Sequence, residues 1–398
     1  MAAPPDGMTE PGLLYDSRQS RARPGVHALI VGVSEYPHLP GPEADGEEAT
    51  LQLRRLTSAA RSACSVAEWV LANRARLGQP LASVRLLLAP SDTERRESEN
   101  LCERAAGAGL DQFLDSVAGW RRDLSLCPES IALFYFAGHG MQGAVADQVL
   151  ILEDFGSNPE AGSVLRKSVP TSSLIAGLAP TEERPDIARR QWFFFDCCRD
   201  TQRTIRKAES ADPTTAFGWA TSLQDHREVS VFNAAISGAR ARAYPNDLTV
   251  FGKALLDCMN GAAGERREDR SGWHVSTGSL GRALSMIGHK LEQVDPRIKF
   301  DVQPRGNLRS SMVLLDGPPH VAVTLTIHPS GAVNSTGLAI YDARGTSVNV
   351  AVPLDPNPYA CHWPAGAYRV DSEDKTSNAC KRGEYEEVLP PHWSWVGP

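Results

Sequence analysis

The stretch that most constrains this chain is residues 191–200, which read Gln-Trp-Phe-Phe-Phe-Asp-Cys-Cys-Arg-Asp. Its four consecutive aromatic side chains are too bulky and apolar for a surface loop, and they predict a strand buried on both faces, as in the middle of a parallel sheet. The apolar run stops at Asp196, where a carboxylate and two thiols occur together. Open α/β sheets present their sites at the carboxyl ends of such strands. We therefore expect a functional site here.

A second stretch has the same form. Residues 131–137, Ile-Ala-Leu-Phe-Tyr-Phe-Ala, make another apolar run that ends in Gly138-His139-Gly140. A histidine between two glycines has an uncrowded backbone that a ligand can approach closely. If the two strands are neighbours, an imidazole and a thiol meet at one sheet edge and form a Cys/His nucleophilic site.

Strand patterns alternate with helix patterns over the first three quarters of the chain. We predict strands at 26–33, 84–89, 131–137, 148–152, 192–195 and 229–236, and helices at 51–77, 110–124, 168–178, 249–260 and 276–294. The alternation is typical of βαβ units, so the predicted class is α/β, with a mostly parallel sheet of about six strands flanked by helices. The charged stretch 91–100 is expected to be a solvated loop or the start of a helix.

The character of the sequence changes after Leu315. Short β-type runs at 321–327, 337–341, 347–352 and 366–370 are separated by turn residues and predict a small antiparallel β domain. The predicted organisation is a mobile N-terminal arm over 1–25, a main domain over 26–316 and a C-terminal β-rich domain over 317–398. Within the main domain, the polar residues 200–228 suit an exposed linker.

Composition excludes several classes of protein. The 398 residues carry a formal charge of -7, which argues against nucleic acid as the main partner. No apolar run approaches the ~18 residues of a membrane span, and the N-terminus lacks the apolar region of a signal peptide. The eight cysteines are scattered, with no CxxC and no zinc-ligand spacing, which favours a reducing, cytoplasmic setting. We expect no metal and no cofactor.

Taken together, the motifs resemble those of the caspase-like (clan CD) cysteine peptidases, in particular the bacterial metacaspase-like branch. The resemblance covers residues 26–316 and includes both strand-end motifs in the family's order. Its further pieces are the strand Ala28-Leu-Ile-Val-Gly-Val33, the helix 56–70, the strand 149–154, the strand 231–237, the helix start 251–256 and Gln303-Pro-Arg-Gly306.

The resemblance implies roles for the strand-end residues. Cys198 takes the position of the nucleophile and His139 that of the general base and acid, since an imidazole helps a thiol of pKa ~8.5 to form a thiolate. The backbone N–H groups of Gly140 and Cys198 are expected to form the oxyanion hole. Strand alternation turns Cys197 away from the pocket, as a buried small hydrophobe, although it remains the alternative nucleophile. For His139 the alternative is a structural histidine.

In metacaspase-like relatives the position of Asp196 is acidic and lines the pocket for the residue before the cleaved bond. A carboxylate there favours Arg, and then Lys; the alternative is a carboxylate that caps backbone N–H groups. Relatives often have a second acid on the first helix, where this chain has Ser62, which leaves room for Glu35 or another acid to substitute.

The resemblance also has implications for peptide binding and for calcium binding. Asn233, Ala234 and Ala235 match the segment that pairs with an extended peptide in relatives; an ordinary sheet strand is the alternative. Of the acidic positions that bind calcium in some metacaspases, only Asp154 is matched, because the positions near Leu174 and Ile205 are not acidic. Calcium activation by that site is not expected.

The function that follows is a cysteine endopeptidase acting on proteins or peptides after basic residues, activated by proteolysis or by a partner in a bacterial defence or cell-death cascade. Cleavage within 201–228, near Arg203, Arg206, Lys207 or Arg227, would mature it. The C-terminal domain is expected to dock a regulatory partner. The alternatives are a catalytically silent scaffold with the same fold and a hydrolase acting on a non-peptide bond.

Overall fold

The fold was analysed in a computed structural model. It describes residues 10–18, 23–41, 53–142, 148–157, 165–198, 213–217, 224–234, 243, 247–269, 271–298, 300–304, 310–350 and 353–397, with the backbone alone at 301–304. None of the helices in these ranges is long and apolar enough to cross a lipid bilayer.

The first part of the chain builds the elements around the strand-end motifs. In chain order they are β1 (Leu13–Asp16), β2 (Val26–Val33), α1 (Ala59–Ala72), β3 (Leu81–Ala89), α2 (Asp92–Glu97), α3 (Glu99–Arg104), α4 (Leu110–Leu124), β4 (Ile131–Gly138), β5 (Gly140–Gln142), β6 (Gln148–Ile151), β7 (Ser168–Pro170), α5 (Thr171–Gly177), β8 (Arg190–Cys197), β9 (Glu228–Asn233), α6 (Val250–Asp257), β10 (Glu265–Arg266), β11 (Trp273–Ser276), α7 (Thr277–Val294), β12 (Asp301–Pro304) and β13 (Ser311–Leu315).

The central sheet has the strand order β1-β3-β2-β4-β8-β9-β12. The five strands from β3 to β9 are parallel, and β12 lies antiparallel on β9. The predicted six-stranded, mostly parallel sheet of a caspase-like α/β fold is confirmed, but the predicted strand 148–152 (β6) lies in a separate sheet, β5-β6-β7, and β12 takes the sixth place. The seventh strand, β1, pairs antiparallel with β3.

Side-chain alternation in the central strands gives the sheet two buried faces. On one face, Phe134 and Phe193 lie in a core cluster that includes Trp120 of α4, whose indole N–H donates to the carbonyl oxygen of His27. On the other face α1 passes so close to β2 that a Cβ at Gly32 would lie 2.5 Å from that of Ala63. A larger residue at position 32 would therefore push α1 off the sheet.

The N-terminus of α1 is capped by residues distant in sequence. The Ser34 hydroxyl accepts hydrogen bonds from the N–H groups of Ala59 (3.1 Å) and Ala60 (3.0 Å), and Glu94 Oε1 accepts from that of Arg61 at 3.0 Å. Glu94 also completes a capping box with Ser91 at the start of α2. The end of β2 and the starts of α1 and α2 are thereby joined around one carboxylate.

The structure differs from the prediction of a mobile arm over residues 1–25. Part of it, β1, pairs with β3 in the sheet, and Arg85 of β3 pairs with Glu10 just before β1 (2.7 Å) and with Asp123 of α4 (2.6 Å). The sequence missed β1 because its four residues are too few to give a strand pattern, and the strand is placed by backbone pairing with β3. Residues 1–9 and 19–22 lie outside the described residues.

Some element bounds also differ from those predicted. The first helix begins at Ala59 rather than at 51, whereas the stretch 91–100 contains α2 and the start of α3, in agreement with the predicted helix start. The predicted helix 168–178 splits, because Ser168–Pro170 pairs with β6 as β7 and only then does α5 begin. The predicted helix 249–260 passes at Cys258–Ala262 into a π-helical turn.

The remaining strands form the C-terminal part. They are β14 (His320–Ile327), β15 (Thr336–Asp342), β16 (Ser347–Val348), β17 (Tyr359–Pro364), β18 (Gly366–Asp374), β19 (Ala379–Lys381), β20 (Tyr385–Val388) and β21 (His392–Gly397). Two sheets, β17-β14-β21 and β16-β15-β18-β19 with β20 on β18, enclose an apolar core. The predicted β character is correct, but β14 and β21 are parallel, so the sheets are not wholly antiparallel.

The compact units of the chain do not divide at the predicted boundary of 316/317. One unit comprises residues 1–256 and 288–310, and the other comprises 257–287 and 311–398. The second unit includes the sheet β10-β11-β13, and Trp273 of β11 belongs to the same apolar core as Val321 and Trp363. In the sequence β13 reads as the last strand of the first domain, whereas in the structure it pairs with β11.

Candidate active site

The two strand-end motifs are neighbours in the structure. Strands β4 and β8 are parallel partners, and their register places Gly138 opposite Cys197. His139 and Cys198 are the next residues along each strand, so both side chains leave the sheet at the same carboxyl edge. The expectation that the imidazole-bearing and thiol-bearing strands adjoin is therefore correct.

Gly140 brings the histidine turn against the cysteine pair. A Cβ at this position would lie 2.6 Å from the carbonyl oxygen of Cys198 and 2.7 Å from Sγ of Cys197, so only glycine fits. The N–H of Ile151 donates to the carbonyl oxygen of His139 at 3.0 Å, and Gly140 lies opposite Leu150 in the next pair. Alternation of the antiparallel ladder then leaves the Gly140 N–H pointing away from β6.

The tautomer of His139 is set by a backbone group. Its Nε2 lies 2.5 Å from the carbonyl oxygen of Arg54. Because a carbonyl oxygen only accepts hydrogen bonds, Nε2 must carry the proton, and Nδ1 is the nitrogen that can take a proton from a thiol. The sequence analysis missed this contact, since any residue type can supply a carbonyl.

The segment that presents the Arg54 carbonyl is held by its neighbour. Arg55 pairs with Glu35 at 2.8 Å, its Nε donates to the carbonyl oxygen of Leu39 at 3.1 Å, and its N–H donates to that of Pro40 at 3.0 Å. Glu35 is therefore engaged by a guanidinium in this structure, and the suggestion that it substitutes for a missing pocket acid finds no support in its position.

The two adjacent cysteines lie in different surroundings. Cys197 is fully buried in the core cluster that contains Phe193 and Phe195, and its Sγ accepts a hydrogen bond from Gln148 Nε2 at 3.1 Å. Cys198 is partly exposed, and its carbonyl oxygen lies 3.4 Å from the same Gln148 nitrogen. The burial of Cys197 agrees with its predicted orientation, and it leaves Cys198 as the accessible thiol of the pair.

Asp196 points to the opposite face of β8 from Cys197. Its Oδ2 accepts hydrogen bonds from the hydroxyl groups of Tyr135, at 2.7 Å, and of Thr249. The carboxyl group is 2% exposed, and its Oδ1 is buried with no hydrogen-bond partner among the described residues. The bonds that Asp196 accepts come mostly from side-chain hydroxyl groups, so it is not simply a backbone cap.

Burial raises the pKa of Asp196 to about 6, and hydrogen bonds from Thr249, Tyr135 and the Gly252 N–H limit the rise. The carboxyl group is therefore ionised at neutral pH and becomes neutral in mildly acidic solution. Ser62, at the position of the missing second acid, hydrogen-bonds to Thr249 (Oγ to Oγ1, 3.1 Å). Hydroxyl groups of Tyr135 and Thr249 thus contact Asp196, and Ser62 contacts Thr249.

The residues predicted to pair with a peptide belong to the sheet. Asn233 is the last residue of β9 and lies between Phe195 of β8 and Asp301 of β12. The N–H of Ala234 donates to the carbonyl oxygen of Phe195 at 2.9 Å, so a peptide cannot use it in this arrangement. Here the two residues have the ordinary sheet role that was the alternative, and Ala235 lies outside the described residues.

The acid considered for calcium has structural partners. Asp154 pairs with Lys167 at 2.8 Å, and its Oδ1 accepts from the N–H of Leu110 at the start of α4. Among the described residues, no group of three or more His, Cys, Asp or Glu side chains is placed to hold a metal ion. Ile205 lies outside the described residues.

The geometry agrees with a family-level comparison. A family model described as Peptidase_C14, Caspase domain, matches residues 26–271, more than half of the chain. The chain belongs to the caspase-domain family. The match contains both strand ends, His139 and Cys198, and it ends before β11, whereas the resemblance noted in the sequence extends to 316.

Individual relatives of this caspase-domain chain are distant. It is 26% identical over 220 residues to "Uncharacterized protein y4kE" of Sinorhizobium fredii (strain NBRC 101917 / NGR234). The matched region covers 53% of this chain and only 60% of that protein. Among solved structures, protein GSU0716 from Geobacter sulfurreducens has a TM-score of 0.43 at 13% identity, covering 73% of this chain and 100% of that one. Caspase-1 from Spodoptera frugiperda has a TM-score of 0.40 at 11% identity, covering 75% and 91%.

One predicted processing site of the caspase domain is not accessible. The Arg227 side chain is 8% exposed, pairs with Asp225 at 2.8 Å and donates to the Ile175 carbonyl oxygen and to Gln191 Oε1. It therefore anchors the chain just before β9 and is not an exposed cleavage residue. Arg203, Arg206 and Lys207, with residues 199–212 as a whole, lie outside the described residues.

Proposed function

We propose that this caspase-domain chain is a cysteine endopeptidase that cleaves proteins after Arg, and less readily after Lys, with Cys198 as nucleophile and His139 as general base and acid. The observation that carries the proposal is the register of β4 and β8. Their last pair is Gly138 and Cys197, so His139 and Cys198, the next residue of each strand, lie at the same edge of the sheet. The contact of His139 with Arg54 supports the proposal, because it keeps the proton on Nε2 and makes Nδ1 the nitrogen that can accept a proton.

The proposed reaction uses only groups of this chain. Nδ1 of His139 takes the thiol proton, and the Cys198 sulfur attacks the peptide carbonyl carbon to give a tetrahedral intermediate. Backbone N–H groups of Gly140 and Cys198 stabilise its oxyanion. The imidazolium then protonates the leaving amine, and the neutral imidazole next takes a proton from the water that hydrolyses the acyl-enzyme.

The preference for a basic side chain follows from Asp196. Its Oδ1 is a buried acceptor without a partner among the described residues, which is costly unless a donor arrives with the substrate. A guanidinium supplies such a donor together with a compensating charge, and it suits a carboxylate better than an ammonium does. With Ser62 in place of a second acid, Asp196 is the carboxylate that we assign to this pocket.

Turnover of fluorogenic peptides ending in Arg, Lys, Asp or Asn tests the proposal. We expect hydrolysis of the Arg peptide, weaker hydrolysis of the Lys peptide, and loss of both in Cys198→Ala. Cys197→Ala is the matched control, because it removes the adjacent thiol, and it should retain turnover. Absence of turnover in the wild-type chain, even after cleavage within 201–228, would favour a silent scaffold, whereas turnover that persists in Cys198→Ala would refute the assigned nucleophile.

We further propose that cleavage within 201–228 matures the enzyme, either by its own activity or by another protease. An enzyme that prefers Arg would recognise Arg203 and Arg206. Arg227, in contrast, is a poor cleavage site because its side chain makes buried contacts. Intact-mass analysis after long incubation should show fragments ending at Arg203 or Arg206 in the wild type and none in Cys198→Ala. Identical fragment patterns in the two proteins would exclude self-processing.

The setting is also a proposal. We place the enzyme in the cytoplasm, in a bacterial defence or cell-death cascade, with residues 317–398 docking an activating or regulatory partner. The support is the caspase-domain family membership and the separate β-rich unit. Survival of bacteria expressing the wild type or Cys198→Ala under phage challenge tests it, and equal survival would argue against a protease-dependent defence role.

A further inference from the structure

We propose that Tyr36 is a positioning residue that holds His139 in place for proton transfer by bridging the end of β4 to β6 through its hydroxyl group. The inference rests on the proposed function, because the positioned imidazole is the one assigned to catalysis. Tyr36 lies in the connection between β2 and α1, which is distant in sequence from His139. No motif in the sequence points to it.

The hydroxyl group of Tyr36 makes two opposite hydrogen bonds. It accepts from the backbone N–H of His139 at 2.8 Å and donates to the backbone carbonyl oxygen of Ile151 at 3.3 Å. The side chain is fully buried, so both bonds are shielded from water. A single hydroxyl proton suffices for this pattern, since the oxygen accepts one bond and donates the other.

The two bonds replace a missing rung of the β-ladder. A hydrogen-bonded antiparallel pair normally exchanges two N–H···O bonds. Between His139 and Ile151 only one direct bond is present, from the N–H of Ile151 to the carbonyl oxygen of His139 at 3.0 Å. The groups that would form the other bond both engage Tyr36 instead. The hydroxyl thus sets how far the His139 backbone stands from β6.

The ring of Tyr36 also contacts the imidazole. The two ring centroids lie 4.9 Å apart with an interplanar angle of 42°. On the Nε2 side the imidazole meets the carbonyl oxygen of Arg54. Tyr36 and Arg54 both belong to the connection between β2 and α1, and Ser34 joins its two ends by accepting a bond from the Leu56 N–H at 2.8 Å. One segment therefore fixes both the backbone and the ring of His139.

Tyr36 is not itself a proton donor or acceptor in the reaction. Burial raises its pKa far above the ordinary value for tyrosine, so the hydroxyl keeps its proton throughout the working pH range. Its contribution is geometric, and small misplacements of a catalytic group are known to cost up to about 100-fold in rate.

The variant Tyr36→Phe removes only the hydroxyl group. We expect kcat for the Arg peptide to fall about 10- to 100-fold with KM changed less than about twofold, because the imidazole moves while the Asp196 pocket does not. Alkylation of Cys198 by iodoacetamide at pH 6.5, read by peptide mass spectrometry against the exposed Cys380, should slow in parallel. A merely structural role would lower the melting temperature without this split between kcat and KM.

Tyr368→Phe is the matched control. It deletes a tyrosine hydroxyl that donates to the Pro364 carbonyl oxygen at 2.9 Å in the C-terminal unit, and it should leave kcat unchanged. If Tyr36→Phe does not fold, Gly138→Ala decides. A Cβ there would lie 3.0 Å from the Tyr36 hydroxyl oxygen, so it displaces that group and should produce the same changes to a smaller degree.

The outcomes separate this inference from the proposed function. If the wild type shows no cleavage that depends on Cys198, the protease assignment fails, and the alkylation rate still reports whether Tyr36 affects the thiol. If the wild type cleaves, and a folded Tyr36→Phe protein has wild-type kcat and a wild-type alkylation rate, then Tyr36 does not position His139.

Discussion

A backbone carbonyl and a tyrosine hydroxyl, both from the connection between β2 and α1, hydrogen-bond to His139 at Nε2 and at its backbone N–H. At the scale of residues, the sequence identified the groups whose chemistry is specific to their type, namely the imidazole, the thiols and the Asp196 carboxylate. It could not identify Arg54, because the contact is made by the main chain. Tyr36 was missed because its partner lies 103 residues away and forms no local pattern.

The pH dependence of substrate binding belongs to the same scale. Because burial raises the pKa of Asp196 to about 6, its carboxyl group is neutral below that pH and attracts a guanidinium only above it. We expect KM for the Arg peptide to fall as the pH rises from 5 to 7. Asp196→Asn, which cannot ionise, should show a higher KM with no such pH dependence. An unchanged dependence in that variant would mean that another group governs binding.

At the scale of elements, one carboxylate joins three of them. Glu94, 2% exposed, accepts from the Ser34 hydroxyl, from the Arg61 N–H at the start of α1, and from the N–H and hydroxyl of Ser91 before α2. Since Ser34 also begins the connection that carries Tyr36, this hub stabilises the segment that supports His139.

We expect Glu94→Ala to lower the free energy of unfolding by about 3 kcal/mol, because it leaves several buried donors without their charged acceptor. Glu97→Ala is the matched control on the same helix: its carboxylate is exposed and pairs with Arg61, and its loss should cost less than about 1 kcal/mol. Urea unfolding followed by circular dichroism measures both. Similar losses in the two variants would show that Glu94 is not a hub.

The strands differ in how strongly their own sequence determines them. The strands around β8 were predictable because an apolar run buried on both faces has few other structures available, and the adjoining of β4 and β8 follows from parallel βαβ units. Short pieces such as β1 and β7 were not predictable, since backbone pairing with a neighbouring strand places each of them rather than its own composition. Residue types alone therefore led to the residues proposed to react, whereas the contacts that support them became visible only in the structure.

At the scale of the whole molecule, the caspase-domain match and the compact units have different limits. The family match ends at 271, whereas the second unit takes in residues 257–287 and 311–398. The strand β11, with Trp273, thus belongs to the β-rich unit although it lies between helices of the main sequence pattern. Residues 257–287 pack with strands that come later in the chain, and local sequence patterns do not show such packing.

This arrangement predicts the result of a truncation. A chain ending at Asp316 keeps β11 and β13 but loses the residues that cover Trp273 and Leu315, among them Val321 and Trp363. We expect it to bind the dye ANS and to melt at a lower temperature than the full chain, because apolar surface becomes exposed. A truncated chain with the melting temperature of the full chain and no dye binding would show that 316/317 is a true domain boundary.

The central claim is that His139 and Cys198 share a proton. The direct measurement is the rate of Cys198 alkylation by iodoacetamide from pH 5 to 9, with the exposed Cys380 of the same molecule as reference, in the wild type and in His139→Ala. We predict that in the wild type Cys198 reacts faster than Cys380 at pH 6 to 7, and that this excess disappears in His139→Ala. Equal reactivity of Cys198 in the two proteins across the whole pH range would contradict the account.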